Sequence, residues 1–287
     1  MMIDSHAHYS HFKFEQHFRF LDCTDGQYGI NEGSKEDILA GMSEKGIVGA
    51  IEPAIDLASN QRVLDLCEAH KGFFFPPVGV HPTRTASLTR KGRKQLQEYA
   101  SDPRVVAIGE TGLDYHFDRK EQHRFRQFIN FQYQINLADK YKHPLILHIR
   151  LAYKDAIRIL KWNRKKLRGG VAHCFCGTKE EALELIGLGF CLGIGGVLLE
   201  ENETAEELRE IVRDVPLERI LVETDAPYVL PYLPDVSLSG NAKRKIRNTS
   251  LILPEVIKKI AELKGMDETV VEETVYKNTV ELFGLVR

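Results

Sequence analysis

The chain has 287 residues, of which 43% are hydrophobic and 28% are charged, so it contains enough apolar material for a sizeable core. Its 39 basic and 41 acidic residues nearly cancel, which excludes a global positive field as the means of attracting nucleic acid. Five cysteines, an odd number at irregular spacing, argue against a disulfide framework. The sequence shows no signal-peptide pattern and no apolar run of about 20 residues, so we expect a cytoplasmic protein with no membrane partner.

Strand-like and helical segments alternate along the chain. A first strand lies around Ile3. Residues 9–33 are predicted to form a long loop, either a covering loop with its own small cluster or a wall or lid of the active site. A helix follows over 35–45, with Ser34 as its N-cap and Asp37 three residues later. Apolar, β-branched segments predict further strands at 47–55, 73–80, 105–109, 144–149, 171–174, 190–194 and 220–223. Helical patterns lie at 58–70, 87–100, 118–142, 152–167, 179–188 and 203–213, with two more helices in 250–287.

This alternation predicts a mainly parallel sheet with helices on both faces, because parallel strands need crossover connections. Eight strand-like segments favour an α/β fold of the (β/α)8 TIM-barrel type, as a single domain over 1–287 with C-terminal helices from about residue 250. A doubly wound open sheet is the alternative. The barrel makes the sharper prediction that chemistry is located at the C-terminal ends of the strands.

Side chains suited to metal binding occur at those predicted strand ends. His6 and His8 are two positions apart in an extended segment. Successive side chains of such a segment point to opposite faces, so His6 and His8 point to the same face. The full set is His6, His8, Glu110, His148, His173 and Asp225. Four imidazoles and two carboxylates are too many for one tetrahedral zinc, but they suit two divalent ions that share a bridging carboxylate. The mixed set is compatible with zinc, manganese, nickel or cobalt, and is less typical of magnesium alone.

Six short motifs include these residues and occur in a fixed order between residues 3 and 228. They are Ile3-Asp4-Ser5-His6-Ala7-His8, Gly79-Val80-His81-Pro82, Ile108-Gly109-Glu110-Thr111-Gly112-Leu113-Asp114-Tyr115, Leu147-His148-Ile149-Arg150, Ala172-His173-Cys174-Phe175-Cys176-Gly177 and Val222-Glu223-Thr224-Asp225-Ala226-Pro227-Tyr228. Together they resemble the TatD family of metal-dependent hydrolases. The resemblance implies an amidohydrolase-like TIM barrel and a metal-dependent nuclease, typically a DNase.

The resemblance also implies a role for each metal-binding residue. His6 and His8 would bind one metal ion together with Asp225, which would also take the proton from the attacking water. Glu110 would bridge both ions. The second ion would be held by the remaining two histidines, His148 and His173.

Three further residues are assigned to substrate binding. His81 and Arg150 match motif positions near the metals, where we expect contacts with the substrate phosphate. Arg247 ends the basic run 243–247, which follows the last predicted strand and is therefore expected on the metal-bearing rim.

The sequence also departs from the family pattern. Thr111 stands where the family usually has isoleucine, and Cys176 stands where serine is common. The segment 247–250 only partly matches the family's Arg-Asn-Glu-Pro, and the 9–33 segment is longer than usual. None of these departures removes a metal ligand, but the last two lie where substrate would be recognised.

We therefore consider three functions. The first is metal-dependent hydrolysis of phosphodiester bonds, as an exonuclease acting on DNA. The second keeps the metals but attacks an ester or amide, as in a D-aminoacyl-tRNA deacylase with tRNA as substrate. The third is a non-catalytic binding protein on a barrel scaffold, which predicts missing ligands, whereas all six positions are filled. No obligate protein partner is expected.

Overall fold

The computed structural model describes residues 1–24, 27–116, 121–231 and 245–285. The chain divides into two compact units, the first formed by Met1–Ala50 with Gly193–Asn278 and the second by Ile51–Leu192 with Thr279–Arg287. Our expectation of one domain over 1–287 stays a prediction. Within the described ranges, no helix combines the length and the apolar character needed to cross a membrane.

Strands and helices alternate over most of the described chain. The strands are β1 Met2–Asp4, β2 Phe18–Thr24, β3 Gln27–Gly33, β4 Ile47–Ile51, β5 Phe74–Phe75, β6 Pro77–Val78, β7 Ala107–Asp114, β8 Leu145–Arg150, β9 Gly170–Ala172, β10 Phe190–Ile194, β11 Ile220–Val222 and β12 Ile246–Arg247. The helices are α1 Lys35–Glu44, α2 Leu57–Ala69, α3 Arg90–Ala100, α4 Glu121–Tyr141, α5 Tyr153–Trp162, α6 Lys179–Gly187, α7 Glu203–Asp214, α8 Leu253–Lys264 and α9 Glu268–Phe283. Short 3-10 helices include Phe12–Phe14, Pro82–Ser87 and Arg164–Lys166.

The second unit is built on parallel strands in the order β6-β7-β8-β9-β10. All eight residues of β7 are buried, as expected for a strand whose two faces are both covered. In the first unit, β1 pairs in parallel with β4. The parallel pairing and the alternation with helices are the pattern that the sequence predicts.

The predicted loop over 9–33 is wrong for most of its length. After the 3-10 helix Phe12–Phe14, the segment forms an antiparallel hairpin of β2 and β3, and β12 adds to β2 in parallel. Phe18 and Phe20 are buried while Arg19 between them is exposed, which is the period-2 pattern of a half-buried strand. The alternation ends at the buried Leu21, so in the sequence it is too short to predict the hairpin.

Several predicted boundaries also shift for local reasons. The predicted strand 73–80 is interrupted at Pro76, because proline has no N–H to donate to a ladder, and it becomes β5 and β6, with Pro77 as the first residue of β6. The predicted strand 105–109 instead continues as β7 to Asp114. The Ser34 cap of α1 is confirmed, since the Ser34 and Asp37 side chains each bond the other's backbone N–H.

Candidate metal centre

The first group of metal-competent side chains lies in the first unit, directly after β1 and β11. His6 Nε2 lies 3.2 Å from His8 Nε2, and Asp225 Oδ1 lies 3.3 Å from His8 Nε2 and 3.7 Å from His6 Nε2. Two ligands that each lie about 2.1 Å from one ion can be at most about 4.2 Å apart. All three separations satisfy this limit, so the three side chains fit a shared divalent ion.

Backbone hydrogen bonds hold this group in place. The Asp225 amide donates to the His6 carbonyl at 2.9 Å, and the His8 amide donates to the Ala226 carbonyl at 2.7 Å. Asp225 has a φ of 54°, in the left-handed region that non-glycine residues adopt uncommonly and that is often found at functional sites. The chain therefore fixes both segments together before any metal binds.

The fully buried Asp4 carboxylate links the same two segments to a third. Its Oδ1 accepts from the amides of His6 and Thr224, each at 3.1 Å, and its Oδ2 accepts from the hydroxyls of Thr224 and Ser250, each at 2.6 Å. Burial raises the pKa of Asp4 to about 6, although these four hydrogen bonds pull in the opposite direction. Asp4 thus stabilises the backbone that carries His6 and Asp225.

The second group lies in the second unit, on β7 and β8 and just after β9. Glu110 Oε2 lies 3.2 Å from His173 Nε2 and 3.6 Å from His148 Nδ1, and the two histidine nitrogens are 3.0 Å apart. These separations meet the same limit of about 4.2 Å for ligands of one ion. Glu110 and His173 are buried, and the structure therefore brings together three of the predicted ligands here.

His148 makes a further contact that the sequence reasoning did not assign. Its Nε2 lies 3.2 Å from Oδ2 of the buried Asp114. Carboxylates commonly accept the second ring N–H of a metal-bound histidine and so fix its orientation. Burial alone would lower the pKa of His148, but the bonds to Asp114 and Glu110 outweigh it and raise this pKa to about 9. His148 would therefore have to lose a proton before it could hold a metal ion.

His81 adjoins this second group. Its Nε2 lies 3.8 Å from Glu110 Oε2, and its ring centroid lies 4.1 Å from that of His148. Burial, and secondly the charge of His148, lower the pKa of His81 to about 3, so the ring is neutral near pH 7. Its Nδ1 accepts from the Thr83 amide at 3.2 Å, which leaves the ring hydrogen on Nε2. The ligand atoms of His81, Asp114 and His148 also converge within 4.8 Å, as a further donor group.

The two predicted substrate-binding arginines are placed on different elements. Arg150 is exposed at the last position of β8. Arg247 is partly buried on β12, where it pairs with Phe20 of the hairpin. The hairpin therefore sets the position of Arg247. In the basic run that Arg247 ends, Lys243 and Arg244 lie outside the described residues.

The functional residues that sequence reasoning missed differ in how easily they could be found. Asp114 follows Glu110 by four positions on one strand, and even spacing along a strand points side chains to one face. The contacts of Asp4 with Thr224 and Ser250 join residues 220 and 246 positions apart, so no local pattern reveals them.

Comparison with known proteins identifies the family. A family model described as "TatD related DNase" matches residues 3–284. The chain belongs to the TatD family. The motif-based prediction of the family is therefore confirmed over nearly the whole chain.

TatD relatives are similar in both sequence and structure. The chain is 32% identical over 252 residues to "3'-5' ssDNA/RNA exonuclease TatD" of Pantoea ananatis, covering 88% of this chain and 94% of that protein. It is 30% identical over 285 residues to "Uncharacterized metal-dependent hydrolase YabD" of Bacillus subtilis, covering 99% and 100%. The crystal structure of YjjV, a TatD homolog from Escherichia coli, matches with a TM-score of 0.81 at 27% identity, covering 99% of this chain and 98% of that one. This structural similarity confirms the α/β fold class that the sequence predicts for this chain.

Proposed function

We propose that this TatD-family chain is a metal-dependent nuclease that hydrolyses phosphodiester bonds of DNA as an exonuclease. The observation that carries the proposal is the convergence of imidazole and carboxylate atoms at positions of the family's motifs, with separations that fit divalent ions. The name of the Pantoea ananatis relative, a 3'-5' ssDNA/RNA exonuclease, supports the same choice of bond. RNA is accordingly a second nucleic-acid substrate to be tested.

In this proposal the chain would hold two divalent ions. His6, His8 and Asp225 would hold the first, and His148 and His173 would hold the second. Glu110 would be the ligand that the two ions share. The mixed nitrogen and oxygen donors favour zinc, manganese, nickel or cobalt over magnesium alone.

When bound at these residues, the ions would supply an activated water near neutral pH and would neutralise the charge that develops on the phosphoryl group. Asp225 would accept the proton of the attacking water, the role that the family motif implies for it; its side chain is 16% exposed, so it remains open to solvent. His81 donates its Nε2–H to a phosphate oxygen as a neutral group. Arg150 and Arg247 add positive charge toward the substrate backbone.

The test is cleavage of end-labelled single-stranded DNA, double-stranded DNA and RNA by protein reconstituted with manganese, zinc or magnesium. We expect stepwise shortening from one end, loss of activity on chelation, and inactivity of Asp225→Asn at unchanged melting temperature. DNA left intact by the metal-loaded protein would refute the nuclease. Release of the amino acid from D-aminoacyl-tRNA, with no nucleotide release, would instead support the deacylase.

A further inference from the structure

The turn that follows His8 presents a phenylalanine to solvent. The His11 amide donates to the His8 carbonyl at 3.1 Å, and the 3-10 helix Phe12–Phe14 begins there. Phe14 is 2% exposed and stacks on Tyr9 with ring centroids 4.8 Å apart. Phe12, in the same short helix, is 69% exposed. Phe14 therefore anchors the turn, while Phe12 contributes little to the core.

Phe12 belongs to a cluster that also contains His11, Lys13 and Tyr228, which we call the Phe12 cluster. The His11 and Phe12 ring centroids lie 4.2 Å apart, and the Tyr228 hydroxyl lies 3.0 Å from His11 Nε2. Lys13 Nζ lies 4.2 Å from the centroid of the Tyr228 ring, a distance at which a cation is attracted to an aromatic face. These contacts hold Phe12 and Lys13 in one arrangement.

The Phe12 cluster adjoins the first metal-competent group. The ring centroids of Tyr228 and His8 lie 6.1 Å apart, and Tyr228 follows Asp225 by three residues. The pKa of Lys13 lies below its ordinary value because the side chain is partly buried and because Arg247 is near, while Asp225 acts in the opposite direction. Lys13 is therefore held against Tyr228 next to the first metal-competent group, on the same turn as the exposed Phe12 ring.

We propose that the Phe12 cluster binds the unstacked terminal nucleotide of a single-stranded nucleic acid. His11 covers part of the Phe12 ring, and the base stacks on the exposed remainder, while Lys13 and Arg247 contact the adjacent phosphates. The base must be unstacked to offer its face, which a single strand allows and a duplex end resists. This inference rests on the proposed nuclease function, and it adds the residues of this chain that bind the terminal base.

The test compares single-stranded oligonucleotides that end in a normal nucleotide or in an abasic residue. Binding is measured by fluorescence anisotropy on metal-loaded protein, with phosphorothioate linkages that resist cleavage, and turnover is measured with ordinary linkages. Stacking of one base on an aromatic side chain contributes about a 5- to 150-fold preference for the base-bearing end. We expect Phe12→Ala to bring this ratio close to one and Phe12→Trp to retain it. The matched control is Phe125→Ala, which removes a phenylalanine that is 64% exposed on α4, and it should keep the wild-type ratio.

The outcomes separate the two proposals. The role of the Phe12 cluster is overturned if the wild-type protein binds the normal and the abasic oligonucleotide equally, even if DNA is cleaved. It is also overturned if Phe12→Ala keeps the full preference for the normal terminus. Absence of cleavage with every oligonucleotide refutes the nuclease, while the binding ratio still decides whether Phe12 recognises a base.

Discussion

Ser250 occupies the centre of a buried chain of hydrogen bonds in the first unit, and its replacement by alanine should be costly. Its hydroxyl donates to Asp4 Oδ2 at 2.6 Å and lies 2.8 Å from the Tyr9 hydroxyl, which in turn accepts from the Ser250 amide at 2.9 Å. None of the three residues is more than 1% exposed. Ser250→Ala therefore removes one donor from the Asp4 carboxylate and one acceptor from Tyr9 in a buried site.

The magnitude follows from the partners. A hydrogen bond to a charged group contributes about 1.5–3 kcal/mol, and a buried polar group left without a partner costs about 1–3 kcal/mol. Thr224 still donates to Asp4 Oδ2, which limits the loss on the carboxylate side. We expect Ser250→Ala to lower the free energy of unfolding by about 2–4 kcal/mol.

The assay is urea unfolding of protein from which metal has been removed with a chelator. The wild type, Ser250→Ala, Tyr9→Phe and the double variant form a double-mutant cycle. Because Tyr9 and Ser250 share one hydrogen-bond chain, the two effects should be non-additive by about 0.5 kcal/mol or more. The matched control is Ser101→Ala, which removes an exposed hydroxyl bonded to the Glu98 carbonyl and should change stability by less than about 0.5 kcal/mol. A loss at Ser250 no larger than at Ser101, or strict additivity, would refute the reasoning.

Two further predictions concern Asp114 and Asp4, the carboxylates that hydrogen-bond residues of the two metal-competent groups. Asp114→Asn removes the carboxylate that orients His148 and should weaken metal binding by about 10- to 100-fold, measured by competition with a chelating dye; unchanged affinity would exclude this role. The pKa of Asp4 is raised from 3.8 to about 6, so its contribution to stability is greatest at low pH and is lost as the pH rises through 6, by up to about 3 kcal/mol. In chelated protein, the stability of the wild type relative to Asp4→Asn should therefore decline between about pH 4 and pH 7. Parallel pH profiles of the two proteins would contradict the raised pKa.

The alternation of elements and the family motifs predicted most of the fold. They failed where local chemistry overrides a simple apolar pattern, as at Pro76, which breaks a predicted strand. They also failed over 9–33, where length was taken as the sign of a loop although the segment forms the β2–β3 hairpin. The hairpin matters for function because it pairs with β12 and so carries Arg247.

For the candidate metal centre, the sequence predicted the side chains that could donate to a metal ion. It did not predict the hydrogen bonds that hold those side chains and their backbone in place. Residue type and motif position predicted both groups of donors, which the structure brings together, although Glu110 and His148 lie within β7 and β8 and not at the predicted strand ends. The role of Ser250 could not be predicted because its contact with Asp4 spans 246 positions. Ser250 also lies in the segment 247–250, which departs from the family pattern, and that departure does not by itself indicate a hydrogen bond. The protonation of His81 and His148 was equally hidden, since burial and neighbouring charges exist only in the folded chain.

Metal content per chain is the most decisive measurement. Protein reconstituted with manganese or zinc is desalted and its metal is quantified by mass spectrometry, for the wild type and for the His6→Ala/His8→Ala variant. Circular dichroism and thermal melting show in parallel whether the variant is folded. We expect about two ions per wild-type chain, and about one ion in a folded variant that has lost most nuclease activity. Two ions with full activity in the double variant, or no metal in the wild type, would contradict the proposed two-ion site.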